Sequence, residues 1–149
     1  MGRRILAVDV GARRVGLAIS DATATLARPL DTIAVHDETG AVDLVARRIA
    51  DLAADEDGLA TIVVGLPVHL DGSPSEQSAR VRLFIDALRR QTSVPIVVAD
   101  ERLTSREAES RLAVRERDWR KRKQKLDAAA AAIILQDYLD KRAEGRVKG

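Results

Sequence analysis

Arg4-Ile5-Leu6-Ala7-Val8-Asp9 is a short apolar run that ends in a carboxylate, and Val15-Gly16-Leu17-Ala18-Ile19-Ser20 follows it after the turn Val10-Gly11-Ala12-Arg13-Arg14. Apolar runs of this length predict strands buried on both faces. The short connection predicts that the two strands pair as a hairpin.

Working outward, a third strand is predicted over Leu30 to Val35. Within 41–54, Val42, Val45, Ile49 and Leu52 recur at helical spacing, and Asp55-Glu56-Asp57-Gly58 ends that helix. Thr61-Ile62-Val63-Val64 predicts a further buried strand, closed by a tight turn at Gly65-Leu66-Pro67. Ser73-Pro74-Ser75-Glu76 has the pattern of a capping box with proline at the first helical position. The helix it opens lines up Val81, Phe84, Ile85 and Leu88. Val94 to Ala99 is the next strand and runs into Asp100-Glu101-Arg102. Thr104-Ser105-Arg106-Glu107 is a second capping pattern, for a helix towards Val114, and a last helix is predicted from about Lys123 to Arg142. Three strands followed by alternating helices and strands predict an α/β fold. Its mixed central sheet would have about five strands with helices on both faces, the layout of the RNase H-like fold. One domain over 1–149, with a basic tail from about 143, accounts for the whole pattern.

Composition narrows the chemistry. Aromatic residues are 2% of the 149, so the core must be aliphatic. There is no cysteine, which excludes a disulfide framework and a thiolate zinc site and fits a reducing compartment. The longest strongly apolar stretch, Ala128 to Leu135, is too short to cross a bilayer, and no signal-like segment follows Met1. The expected location is the cytoplasm. Net charge is +2 but unevenly spread: residues 1–110 hold 13 Lys/Arg against 17 Asp/Glu, and residues 111–149 hold 12 against 6. Within Arg115 to Lys125 seven basic residues surround Trp119, with two acids. A basic block on a mildly acidic body fits a polyanionic partner, and it fits equally a solvated helix face with a basic tail.

Three acids stand out by position. Asp9 ends one apolar strand and Glu101 lies just past another. Asp127, early in the last helix, shares a face with Ala131, Ile134 and Tyr138. Singly, each has a structural reading: a turn cap, a surface ion pair with Arg102, a complement to the helix dipole. Together, three inward carboxylates would be costly unless they shared a cation. Oxygen-only ligands favour Mg2+ or Mn2+ over zinc. Two such ions about 3.5–4 Å apart would activate a water and stabilise the leaving oxygen of a phosphodiester.

The segments Asp9-Val10-Gly11-Ala12-Arg13-Arg14-Val15-Gly16-Leu17-Ala18, Gly65-Leu66-Pro67, Asp100-Glu101-Arg102-Leu103-Thr104-Ser105 and Lys125-Leu126-Asp127-Ala128-Ala129-Ala130 together resemble the YqgF/RuvX family, in order and spacing over nearly the whole chain. That family is similar in fold to RuvC-type Holliday junction resolvases. It is described both as resolvases and as nucleases that process the 5′ end of pre-16S rRNA. The resemblance implies a metal-dependent nuclease in which Asp9, Glu101 and Asp127 are the catalytic, metal-holding acids. One departure is Gln124: resolvases of this fold commonly carry an acid or histidine one turn before the last aspartate. A neutral residue there implies a weaker second metal position, or one completed by substrate phosphate.

Further contacts to nucleic acid are expected from Arg13, Arg14 and Arg102, whose guanidinium groups suit bidentate phosphate binding. Trp119, Arg120, Lys121, Arg122, Lys123 and Lys125 form the basic block, in which Trp119 either stacks on an unpaired base or anchors the loop. The partner is structured or single-stranded RNA, or branched DNA, and a monomer and a homodimer are both compatible with the sequence. Junction resolution is the alternative function; a non-catalytic nucleic-acid-binding protein of the same fold is a further one. The motif Asp-x-Gly-x-x-Arg-x-Gly also resembles the phosphate hairpin of actin-like ATP-binding folds, but those need a second copy, which this chain lacks. If the basic block contacts nucleic acid, log affinity will fall steeply and linearly with log salt in a titration. A flat response would remove the block from the contact surface.

Overall fold

The computed structural model describes residues 2–67, 73–100 and 126–145. In chain order these form β1 (Arg4–Val10), β2 (Arg14–Ser20), β3 (Ala27–Ala34), α1 (Glu38–Ala54), β4 (Leu59–Leu66), α2 (Glu76–Arg89), β5 (Ile96–Asp100) and α3 (Leu126–Ala143). The five strands make one sheet in the order β3-β2-β1-β4-β5. β2 lies antiparallel to both β1 and β3, whereas β1, β4 and β5 are mutually parallel. The sheet is therefore mixed, as the leading hairpin and the later βα units require.

Strand alternation divides the core in two. Leu6, Val8 and Val10 of β1 join Val15, Leu17 and Ile19 of β2 on one face, under α1 and α2. Ile5 and Ala7 join Ala18 and Val63 on the other, under α3. The helical spacing seen in the sequence is used directly. Val42, Val45, Ile49 and Leu52 of α1, and Val81, Phe84, Ile85 and Leu88 of α2, are all buried in the first cluster.

Several boundaries differ from expectation, each for a local reason. α1 begins at Glu38 because Asp37 caps it, its carboxylate accepting from the Gly40 amide at 2.6 Å. β3 begins at Ala27, not Leu30, because Ala27 pairs with Ser20. The cap of α2 is Ser75, not Ser73. The Ser75 hydroxyl accepts from the Ser78 amide at 3.3 Å, and the Ser78 hydroxyl accepts from the Ser75 amide at 2.9 Å. Ser78 thus fills the role that Glu76 was expected to play, and Pro74 precedes the cap. Both hydroxyls also reach the Pro67 carbonyl, which ties the end of β4 to the start of α2. β5 starts at Ile96, since Pro95 uses its carbonyl to accept from Ile62. The predicted helix from Thr104 towards Val114 lies outside the described residues.

Two polar contacts fix the layers to the sheet. Arg4 donates from Nε to the Gly58 carbonyl and from a terminal nitrogen to the Leu52 carbonyl, each at 3.1 Å, so it closes the last turn of α1. Gln136, fully buried on α3, accepts from the Ala27 amide at 2.9 Å and donates to the Thr25 carbonyl and Asp140, both at 3.0 Å. Gln136→Leu would remove one partner each from Ala27, Thr25 and Asp140. An unsatisfied buried group costs about 1–3 kcal/mol, and urea unfolding is expected to show a loss in that range; an unchanged midpoint would mean the contact does not hold α3 in place.

Candidate functional site

Because β1, β4 and β5 are parallel, their carboxyl ends share one edge of the sheet. Asp9 is the last residue but one of β1 and is half-buried there. By alternation with Ile5 and Ala7 its side chain emerges on the α3 face. On β2 it is paired with Gly16, which in turn pairs with Thr32 of β3. On its other side, one step past the Val8–Val64 pair, lies Gly65, which pairs with Ala99 of β5. Asp9 thus stands in a row of small residues, where a bulky neighbour would cover it. Glycine inside a strand often marks such a place of close approach.

Gly65 and Leu66 are strand residues, so the turn expected at Gly65-Leu66-Pro67 is corrected: only Pro67 lies beyond β4. Gly65 is held in the strand by its pairing with Ala99. A glycine directly after an unbroken apolar run is the signal that would have suggested it.

α3 lies across β1, β2 and β3. The bonds from Gln136 to Thr25 and Ala27 tie the later part of the helix to the end of the sheet remote from Asp9. Ala131, Ile134 and Tyr138, which share a helix face with residue 127, are buried. Burial pushes the Tyr138 phenol above its ordinary pKa, with Arg142 pulling the other way, so this face carries a neutral hydroxyl.

Of the three acids, Asp9 has a described side chain; Glu101 and the side chain of Asp127 lie outside the described residues. Among the described residues no cluster of three metal-binding side chains occurs. Arg13 and Arg14 are exposed at the same edge as Asp9; the turn expected over Val10 to Arg14 is shorter, because Val10 ends β1 and Arg14, paired with Ala34, begins β2. Arg102, Trp119, Arg120, Lys121, Arg122, Lys123 and Lys125 lie outside the described residues, as does Gln124.

A mixed five-stranded sheet of this order, covered on both faces, is an RNase H-like fold, here with an acid next to the last residue of its central strand. The family model described as "RuvX: Holliday junction resolvase" matches residues 3–141, and the chain belongs to that family. Among curated relatives, a protein of Chloroflexus aggregans, provisionally named a pre-16S rRNA nuclease, is 44% identical over 93% of this chain and 94% of its own length. One of the same name from Anaeromyxobacter dehalogenans is 42% identical over 94% and 98%. Among solved structures, Thermus thermophilus RuvC in complex with a Holliday junction substrate matches with a TM-score of 0.58 at 16% identity, covering 97% of this chain and 98% of that one. This last likeness is one of fold.

Gly11 sets the turn that carries the two arginines. Its amide donates to the Arg14 carbonyl at 2.9 Å, and a Cβ on Gly11 would meet that same oxygen at 2.7 Å. Gly11→Ala is therefore expected to shift the turn and destabilise the protein by about 1–2 kcal/mol, as overpacking does. Equilibrium unfolding matching the wild type would show that the turn absorbs the methyl group without strain.

Proposed function

We propose that the chain is a divalent-metal-dependent nuclease that processes the 5′ end of pre-16S rRNA, with Asp9, Glu101 and Asp127 as its catalytic acids. The observation that carries this reading is the position of Asp9: a half-buried carboxylate at the shared carboxyl edge, flanked by Gly16 and Gly65. Glu101 directly follows Asp100, the last residue of the parallel strand β5, and residue 127 begins the helix that runs along the same face. Their places in the chain support a position for both near that edge. The donor chemistry fits a hard cation, since the row around Asp9 adds neither sulfur nor imidazole. Mg2+ or Mn2+ bound there would supply the charge that activates water and stabilises a leaving oxygen.

The chain's own residues supply position and exclusion. Ala7, the preceding residue on the same face of β1, is buried in the α3 core, and an apolar inner side strengthens the attraction of Asp9 for a cation. Arg13 and Arg14 hold substrate phosphates beside it. The sharing of one name by relatives at 36–44% identity supports rRNA as the substrate. Among the described residues no helix is long and apolar enough to cross a membrane.

The test compares the wild type with Asp9→Ala, Glu101→Gln and Asp127→Asn. The substrates are an RNA carrying the pre-16S 5′ leader, a single-stranded DNA and a four-way junction, each with Mg2+, Mn2+ or EDTA. The leader RNA is expected to be cut only with metal. Each variant should lose at least about 100-fold in kcat, more than disturbing an outer-shell partner costs, while Tm and RNA binding hold. Undiminished cleavage by Asp9→Ala would overturn the site, and preference for the junction would replace rRNA with branched DNA.

A further inference from the structure

On the sheet face opposite the Asp9 side chain, a cleft of about 610 Å3 opens between the β1–β2 turn, the segment joining β3 to α1, and the helices α1 and α2. Its volume lies within the range of about 300–1,000 Å3 typical of small-ligand sites. Val10, Val35, Val42, Phe84 and Ala87 give it an apolar lining. Arg80 and Arg90 of the α2 side line it as well, with His36, Thr39 and Gln91. Leu83, 67% exposed, also lines it.

The rim is basic. The Arg13 carbonyl accepts from the Val35 amide at 2.8 Å, which ties the β1–β2 turn and its lining residue Ala12 to Val35, and the basic side chains at the cleft are Arg80 and Arg90. The acid at the rim, Asp37, faces the amino end of α1 and accepts from Gly40, so the helix dipole offsets its charge. Asp43 nearby accepts from Gln91 at 2.9 Å. An apolar floor with arginines around it matches a nucleotide: a flat apolar base attached to an anion. A base inside a duplex is stacked and could not enter; an unpaired one can.

We propose that this cleft receives one unpaired nucleotide of the RNA substrate, its base on the floor of Val10, Val35, Phe84 and Ala87 and its phosphate towards Arg80 and Arg90. This rests on the nuclease reading above and adds a determinant of where along the strand the enzyme cuts. The geometry links the two places. Asp9 and Val10 are consecutive on β1, with Cα atoms about 3.8 Å apart, and their side chains leave the sheet on opposite faces. A strand passing over the edge from Asp9 crosses the hairpin turn, where Arg13 and Arg14 stand, and descends into the cleft. The occupant therefore belongs to the same polyanion as the scissile phosphate. An acidic peptide would suit the rim charge but has no such continuity with Asp9.

The test is equilibrium binding of a hairpin RNA with a single-stranded 5′ extension, in EDTA so that binding is read apart from cleavage. A series carries one abasic position each along the extension. In the wild type, one abasic position is expected to weaken binding about tenfold, the loss of one base contact. Ala87→Phe, which fills the floor, should weaken the intact RNA about tenfold and lose its sensitivity to that position. Arg90→Gln, at an exposed position, should reduce the salt slope by about one phosphate contact. The proposal is overturned if Ala87→Phe, folded by circular dichroism, binds every RNA as the wild type does, or keeps the full abasic effect. If Ala87→Phe does not fold, Arg90→Gln decides: an unchanged salt slope overturns the proposal and leaves the cleft to a protein segment. Failure of the nuclease reading is separate, since it appears as absence of metal-dependent cleavage whatever the binding pattern.

Discussion

β1 is the middle strand of five, hydrogen-bonded on both edges and packed on both faces, so none of its side chains is free to choose a direction. Val8 must serve the α1/α2 core and Ala7 the α3 core, because period-two alternation leaves no other option. The pairings Val8–Leu17 and Val8–Val64 then fix the strand's height in the sheet. Asp9 inherits its position from these constraints. A one-residue slip would turn Asp9 into the α1/α2 core and expose Val8 on the other face, at a large burial cost.

Around that strand, polarity and capping decide what reaches the edge. The parallel run of β1, β4 and β5 places three strand ends together, as open α/β sheets do where they form ligand sites. Gln136 ties α3 to Thr25 and Ala27 at the end of the sheet remote from Asp9. Pro67 performs a similar service for α2, its carbonyl accepting from both capping serines. The arginine-bearing turn depends on a glycine because the Arg14 carbonyl occupies the space that a Cβ would need.

The two faces of the sheet offer different chemistry at the same edge. On the α3 side, small residues leave a carboxylate accessible. On the α1/α2 side, an apolar cleft with a basic rim lies one residue away. Both are reached around the β1–β2 turn, so a single flexible polyanion is able to touch both.

Much of this was legible in the sequence. The hairpin, the apolar stripes of α1 and α2, the mixed sheet and the strand-end Asp9 all follow from short-range patterns, which the chain expresses within a few residues. Where expectation failed, the deciding contact was distant or degenerate. Ser73 and Ser75 are equivalent as caps on paper, and only the closure of Ser75 with Ser78 and Pro67 selects one. Gly65 looked like a turn because glycine and proline signal turns locally, yet pairing with Ala99, far along the chain, makes it strand. The cleft left no trace at all, since its lining comes from three separate segments that no periodicity connects. The sequence by itself determined the period of each element and the chemistry of its residues, because those depend on near neighbours. Which residues share an edge, a row or a cavity was decided by the tertiary structure alone, because pairing and packing join positions up to more than a hundred residues apart, as between Ala27 and Gln136.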